Sequence, residues 1–192
     1  MRIGLLADLH ANREAVEACV EALQALACRR WVVLGDLVGY GADPAWVVDW
    51  AGEQVAAGAI AVLGNHDQAV IAGDLLSMSP AIGAATAWTR SELDAGQLEF
   101  LRALPLQVVD EDRLYVHANA WAPGEWAYVS NRLAAARSLL ATPAWLTFCG
   151  HVHEPALYHL QAGAASHFAP TGGVAIPLSS QRHWLAIPGS CG

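Results

Sequence analysis

Residues 31–41 read Trp31-Val32-Val33-Leu34-Gly35-Asp36-Leu37-Val38-Gly39-Tyr40-Gly41. Four apolar residues without a polar interruption are what a strand covered on both faces requires. A glycine then lets the chain leave the strand, and a carboxylate follows at once. The same order of parts recurs along the chain. Residues 3–7 run into Asp8-Leu9-His10, residues 60–63 into Gly64-Asn65-His66-Asp67, residues 114–116 into His117, and residues 145–149 into Gly150-His151-Val152-His153. In open α/β sheets ligands bind beyond the carboxyl ends of the strands, so five such ends predict one convergent site. Five of the eight histidines lie there.

Between these strands the spacing is helical. Asn12 is expected to cap a first helix whose Val16, Cys19, Val20, Leu23 and Leu26 form the buried stripe, with Glu14, Glu17, Glu21 and Gln24 opposite. Asp43-Pro44 opens a second, buried through Trp46, Val47, Trp50 and Ala51. Strand and helix in alternation over the first seventy residues predict βαβ units around a largely parallel sheet. From 65 to 104 the pattern is helical but irregular, with Gly73, Pro80, Gly83 and Gly96 as expected breaks, 81–93 as the best helix and Pro105 as a stop. Residues 106–109 and 114–116 predict a strand pair around a polar turn. Residues 131–140 predict a further helix, and 156–160, 173–177 and 183–186 predict strands in a Gly-rich remainder.

Composition bounds the function. The chain has 192 residues, 55% of them hydrophobic, enough for a core without disulfides or a structural metal. No run approaches the ~18 apolar residues of a membrane span, and Asp8 and His10 come too soon for a signal peptide, so a cytoplasmic protein is expected. The net charge is −8, and all ten basic residues are Arg. That argues against an extended nucleic-acid groove, although bound cations reverse the local sign at a phosphate site. Cys19, Cys28, Cys149 and Cys191 show no metal or redox spacing and read as reduced thiols.

Asp8 with His10, and His151 with His153, are spaced by two, so in extended backbone each pair projects to one side and is expected to grip one ion. Oxygen and imidazole ligands without cysteine favour manganese, iron or zinc over a thiolate-type site. Asp8, His10, Asp36, Asn65, His117, His151 and His153 are too many for one closed ion. They suit two ions sharing a carboxylate, an arrangement that activates water and steadies the leaving oxygen in phosphoryl transfer.

The ordered set Asp8-x-His10, Gly35-Asp36-x-x-Gly39, Gly64-Asn65-His66-Asp67, His117 and Gly150-His151-x-His153 resembles the calcineurin-like metallophosphoesterase superfamily, over essentially the whole chain. Gly35 to Gly41, of the form Gly-Asp-x-Val-Gly-Tyr-Gly, is similar to its small bacterial and archaeal branch. The resemblance implies an α/β fold of two mixed sheets packed as a sandwich and flanked by helices, in a single domain over 1–192. It implies two divalent ions, manganese first, with iron, zinc, nickel or cobalt as other candidates. Asp8, His10 and His153 would hold one, Asn65, His117 and His151 the other, with Asp36 between them and a bridging hydroxide as nucleophile. His66 is implied as the catalytic acid, with Asp67 as its orienting partner. Pro188-Gly189-Ser190 resembles the family's closing turn, with Ile187 in place of its Asn. Family members usually continue by a strand or two, which implies a longer natural chain. Ala11 and Ala118 stand where Gly is frequent, implying a tighter approach of backbone to phosphate.

The resulting expectation is a hydrolase of a phosphate ester or phosphoanhydride on a small, nucleotide-like substrate, acting as phosphodiesterase or phosphatase, with homo-oligomerisation open. Asp8-Leu9-His10-Ala11-Asn12 resembles the form shared by protein phosphatases and diadenosine tetraphosphate hydrolases. Protein phosphatases place an Arg where Val38-Gly39-Tyr40-Gly41 stands, which lowers the serine/threonine phosphatase alternative. The other alternative is a non-catalytic scaffold of the same fold, against which Asn65-His66-Asp67 argues. His159, His167 and His183 lie outside the motifs and read as structural. Trp31, Trp46, Trp50 and Trp145 read as core. Trp121 and Trp126, in the loop after His117, are open to packing or to stacking on a substrate ring.

Overall fold

The computed structural model describes residues 2–73 and 80–192, so part of the irregular helical stretch, 74–79, lies outside the described residues. Two sheets face each other. The first is parallel and runs β1 (Ile3–Leu6), β2 (Arg30–Val33), β3 (Ile60–Ala61). The second is mixed, in the order β4 (Gln107–Asp110), β5 (Arg113–Val116), β6 (Leu146–Phe148), β9 (His183–Ile187), β7 (Ala156–Gln161), β8 (Ala164–Phe168).

Alternation along the strands makes the layers. Ile3, Leu5, Ala7, Val32, Leu34, Ile60 and Val62 meet Tyr115 and Phe148 between the sheets. Leu6, Val33, Ala61 and Leu63 turn the other way, into a core shared with the helices on the outer face. Those are α1 (Arg13–Ala25), α2 (Pro44–Ala56), α3 (Asn65–Ala72) and α5 (Ala95–Ala103), with α4 (Pro80–Ser91) against α3. On the opposite side α6 (Arg132–Leu140) covers the larger sheet through Ala135 and Leu139. The two-sheet α/β architecture that the resemblance implies is therefore present, except that the first sheet is parallel where a mixed one was expected, its strands being joined by βαβ crossovers.

Local chemistry sets the helix boundaries. Asn12 caps α1, accepting from the Ala15 N–H at 3.1 Å. Replacing it with Ala should cost about 1 kcal/mol, the usual value of such a cap. An unchanged denaturation midpoint in Asn12→Ala would show the cap to be idle. Pro44 opens α2, although the Asp43 side chain makes no capping bond, and Trp46 and Trp50 are half-buried against the outer core. Gly83 lies inside α4, and Gly96 lies in the first turn of α5, where reciprocal bonds between Asp94 and Gln97 hold the helix start. Neither glycine is a break, because capping and packing outweigh a single propensity penalty.

The remainder corrects one expectation and adds a strand. Residues 173–177 form no strand, and β8 pairs with β7 at 164–168 instead. Ala164-Ala165-Ser166-His167-Phe168 carries little β propensity. Its register comes from the two-residue turn Ala162-Gly163, with both φ angles positive, as tight hairpins require.

Candidate metal centre

All five strand ends reach one edge of the sandwich, but not in the conformation their spacing suggests. Asp8, His10, Asp36, His151 and His153 all have φ between 48° and 67°. Such residues cost on the order of 1–3 kcal/mol each and persist where the surroundings over-determine them. Extended-strand alternation therefore does not aim these side chains; left-handed turns do. Asp8 and His10 still share a cluster, with His153, whereas His151 joins Asp36 and His117. Within each cluster the ligand atoms lie within 4.8 Å of one another. The expectation that His151 and His153 act as one pair gives way to a split between the clusters.

Asp36 connects them. Its Oδ2 lies 3.4 Å from His117 Nε2 and 3.9 Å from His10 Nε2, and its Oδ1 accepts from the His66 N–H at 2.9 Å. Asn65 enters through its Oδ1, 3.0 Å from His117 Nε2. Asp8 accepts from the His151 N–H, and its Oδ1 lies 3.4 Å from His153 Nε2. Two glycines make room. A Cβ on Gly35, whose φ is +86°, would stand 2.7 Å from His117 Nδ1, and one on Gly150 would stand 2.7 Å from Asp8 Oδ2.

The donor set fits divalent cations on its hydrogen bonding. His117 Nδ1 faces the Leu34 carbonyl at 2.7 Å, His10 Nδ1 the Val38 carbonyl at 3.2 Å, and His151 Nε2 the Trp126 carbonyl at 2.9 Å. A carbonyl only accepts, so each of these nitrogens carries the proton and leaves the opposite lone pair for the cluster, the tautomer that metal-ligating histidines adopt. His10 Nε2 and His153 Nε2 then meet at 3.1 Å beside two buried carboxylates, where a cation satisfies both lone pairs.

Electrostatics agree. Burial pushes Asp8 up and His10 and His151 down. Burial also opposes charge on Asp36 and His117, but their mutual attraction prevails, holding Asp36 low and raising His117 to about 9. Without a cation, a second proton on His117, at the Nε2 that faces Asp36, supplies the positive charge the buried carboxylate demands.

His66 is half-buried, its ring 4.6 Å from Tyr40 and 5.1 Å from His10 by centroid, and burial lowers its pKa against the pull of Asp36. Asp67 is placed elsewhere than expected. Its Oδ1 accepts from the Val38 N–H at 3.1 Å and its Oδ2 from the Gly64 N–H at 2.9 Å, so it ties the start of α3 to the loop after β2. Consecutive helical residues point about 100° apart, so Asp67 faces inward while His66 faces the site. Gly39 positions His66 instead: at φ +94° a Cβ there would lie 2.7 Å from His66 Nδ1.

Other site neighbours were not singled out by the sequence. The Ser190 hydroxyl donates to the Asp8 carbonyl at 3.0 Å, and Cys191 and Gly192 N–H groups bond Ala7 and Asp8, fastening the turn after β1. The Pro188-Gly189-Ser190 resemblance was its only signal. Tyr40 and Tyr128 flank the centre, Tyr128 stacked on His151 at 3.9 Å and 11°. Trp121 packs against the α6 core under the Arg137 guanidinium, whereas Trp126 lines a cleft beside the centre.

A family model for the calcineurin-like phosphoesterase superfamily domain matches residues 1–191. A crystal structure of a metallophosphoesterase from Sphaerobacter thermophilus is 33% identical and superposes with a TM-score of 0.82, covering 100% of this chain and 77% of its own. An uncharacterised protein of Methanocaldococcus jannaschii is 28% identical over 99% of this chain and 76% of its own length. A hypothetical protein from Pyrococcus horikoshii shares the fold at 19% identity and a TM-score of 0.75, over 99% of this chain and 77% of that one. The chain belongs to the calcineurin-like phosphoesterase superfamily, whose members use pairs of divalent metals, and is a metal-dependent phosphoesterase.

Proposed function

We propose that this protein hydrolyses a phosphate ester or phosphoanhydride bond in a small, nucleotide-like substrate. In this reading Asp8, His10 and His153 hold one divalent ion, preferably manganese. Asn65, His117 and His151 hold the second, and Asp36 is shared. The observation that carries it is the single Asp36 oxygen facing a histidine of each cluster. Divalent cations in such a pair act as Lewis acids on phosphoryl oxygens and make water a competent nucleophile near neutral pH.

The chain's own residues do the rest. Asp36 is oriented by the His66 N–H at the first turn of α3, and the His117, His10 and His151 rings are locked by backbone carbonyls. His66, lining the same cavity as Asp36, Asn65 and His153, gives a proton to the departing oxygen. Asp67 serves as a positioning residue for the backbone around His66. No Arg is among the described residues lining this cavity, and the stretch Val38-Gly39-Tyr40-Gly41, where a protein phosphatase would carry one, has none. That favours a small substrate over a phosphoprotein.

Two measurements test the reading. Manganese-loaded protein should hydrolyse members of a panel of aryl phosphates, phosphodiesters, cyclic nucleotides and dinucleoside polyphosphates, and a complete absence of turnover would support the scaffold alternative. Inorganic phosphate or vanadate should bind the metal-loaded protein and be lost on chelation, because no arginine is among the described residues lining the cavity. Equal binding to the chelated protein would transfer anion recognition from metals to some arginine.

A further inference from the structure

A cleft of about 480 Å³ opens beside the metal centre from Asn65 and His66 and runs between α3 and α4. That is the size of a small-molecule site. Its wall on one side is aromatic, with Tyr40, Trp126 and Tyr128, and Ile82 of α4 faces it. Tyr40 is 66% exposed, Tyr128 58% and Ile82 43%. The rings are nevertheless held. Tyr128 lies flat on His151, the Trp126 ring edge meets His117 at 5.9 Å, and the Trp126 carbonyl bonds His151. Gln68, also lining the cleft, makes no side-chain hydrogen bond among the described residues, so its amide offers a donor and an acceptor together. No Arg, Asp or Glu is among the described lining residues.

We infer that this cleft receives the leaving group of the reaction and that this group is a neutral nucleoside, its base stacked on the aromatic wall and its edge met by Gln68. The inference rests on the proposed phosphoesterase site with His66 as acid. His66 borders both cavities, so whatever occupies the cleft is attached to the oxygen that His66 protonates. Fixed aromatic faces suit a planar ring, and a Gln amide matches the paired donor and acceptor of a base edge. A leaving nucleotide would bring phosphate charge into a cleft with no arginine among its described lining residues to meet it, whereas a nucleoside does not. In the step itself, water oxygen bonds to phosphorus and the bond from phosphorus to the nucleoside oxygen breaks. That oxygen takes the proton of His66, and a proton from the consumed water restores the imidazole.

A matched pair of diesters tests this: adenosine 5′-(methyl phosphate) and methyl riboside 5′-(methyl phosphate), whose leaving alcohols differ in the base alone. The adenosine diester should yield adenosine and methyl phosphate, with kcat/KM higher than the riboside by roughly 5- to 150-fold, the range contributed by one stacked base. Trp126→Leu and Tyr128→Leu should each bring that ratio toward one, and Gln68→Ala should flatten the preference among bases. Hydrolysis with equal kcat/KM for both diesters, or release of methanol and adenosine 5′-phosphate, overturns the inference while leaving the phosphoesterase reading intact. Calorimetry with adenosine separates the opposite failure. Adenosine bound where methyl riboside is not, and weakened by Trp126→Leu, upholds the cleft even if neither diester is hydrolysed.

Discussion

Asp36→Asn is expected to lower the occupancy of both metal positions at once and to reduce activity by more than the roughly 10–100-fold that loss of a hydrogen-bonding partner behind a ligand typically costs. Asp36 is 1% exposed, and its Oδ2 is the atom that faces His117 and His10 together. An amide removes the negative charge; with its NH₂ toward His66 it sets donor against the His66 N–H, and with its NH₂ toward His117 and His10 it takes up the ring lone pairs that a cation would need. Asn65→Ala, by contrast, should weaken mainly the His117 and His151 position, because the Asn65 side-chain oxygen faces His117 Nε2. Elemental analysis of the two purified variants against the parent checks this. Full retention of both metals in Asp36→Asn would remove the shared carboxylate from the account. Because the Asp36–His117 pair is buried, breaking it should also cost the metal-free protein on the order of 3–5 kcal/mol, so the variant's fold should be confirmed by circular dichroism first.

His66→Asn should retain both metals and lose about 10²–10⁴-fold in rate on alkyl esters, the usual worth of a positioned acid. An alkoxide is a poor leaving group and must be protonated as it departs, whereas p-nitrophenolate leaves unaided. The deficit should therefore be much smaller for a p-nitrophenyl ester, and an equal deficit for both would assign His66 to phosphate binding or metal geometry. Gly39→Ala provides the companion result. It keeps the imidazole but places a Cβ against His66 Nδ1, so its losses should follow the same leaving-group pattern. Asp67 acts at one remove, holding Gly64 and Val38, and its removal should disturb the backbone around His66 without that signature.

The sequence by itself pointed to the three strands of a parallel first sheet, to the first helix with its Asn12 cap, and to the strand-end residues that meet at one edge. Those are local properties. An apolar run, a capping side chain, or a glycine followed by a ligand carries its physical consequence within a few residues. Residue spacing did not decide how those residues are shared out; the family resemblance implied the division, and the tertiary structure supplies a physical reason for it. His151 and His153 are two apart yet belong to different clusters, because both occupy left-handed turns held by distant groups, the Asp8 carboxylate and the Ser190 N–H among them. Spacing predicts direction only when the backbone is regular. For the same reason Asp67 turned out to brace the backbone instead of orienting His66. β8 likewise acquired its register from a turn and a neighbouring strand, not from its own weak β propensity. Tyr40, far along the chain from Trp126 and Tyr128, forms one wall with them beside the candidate metal centre because the loops after β2 and β5 leave the same sheet edge. Which faces of those loops meet is set by packing between layers, and no single segment encodes it.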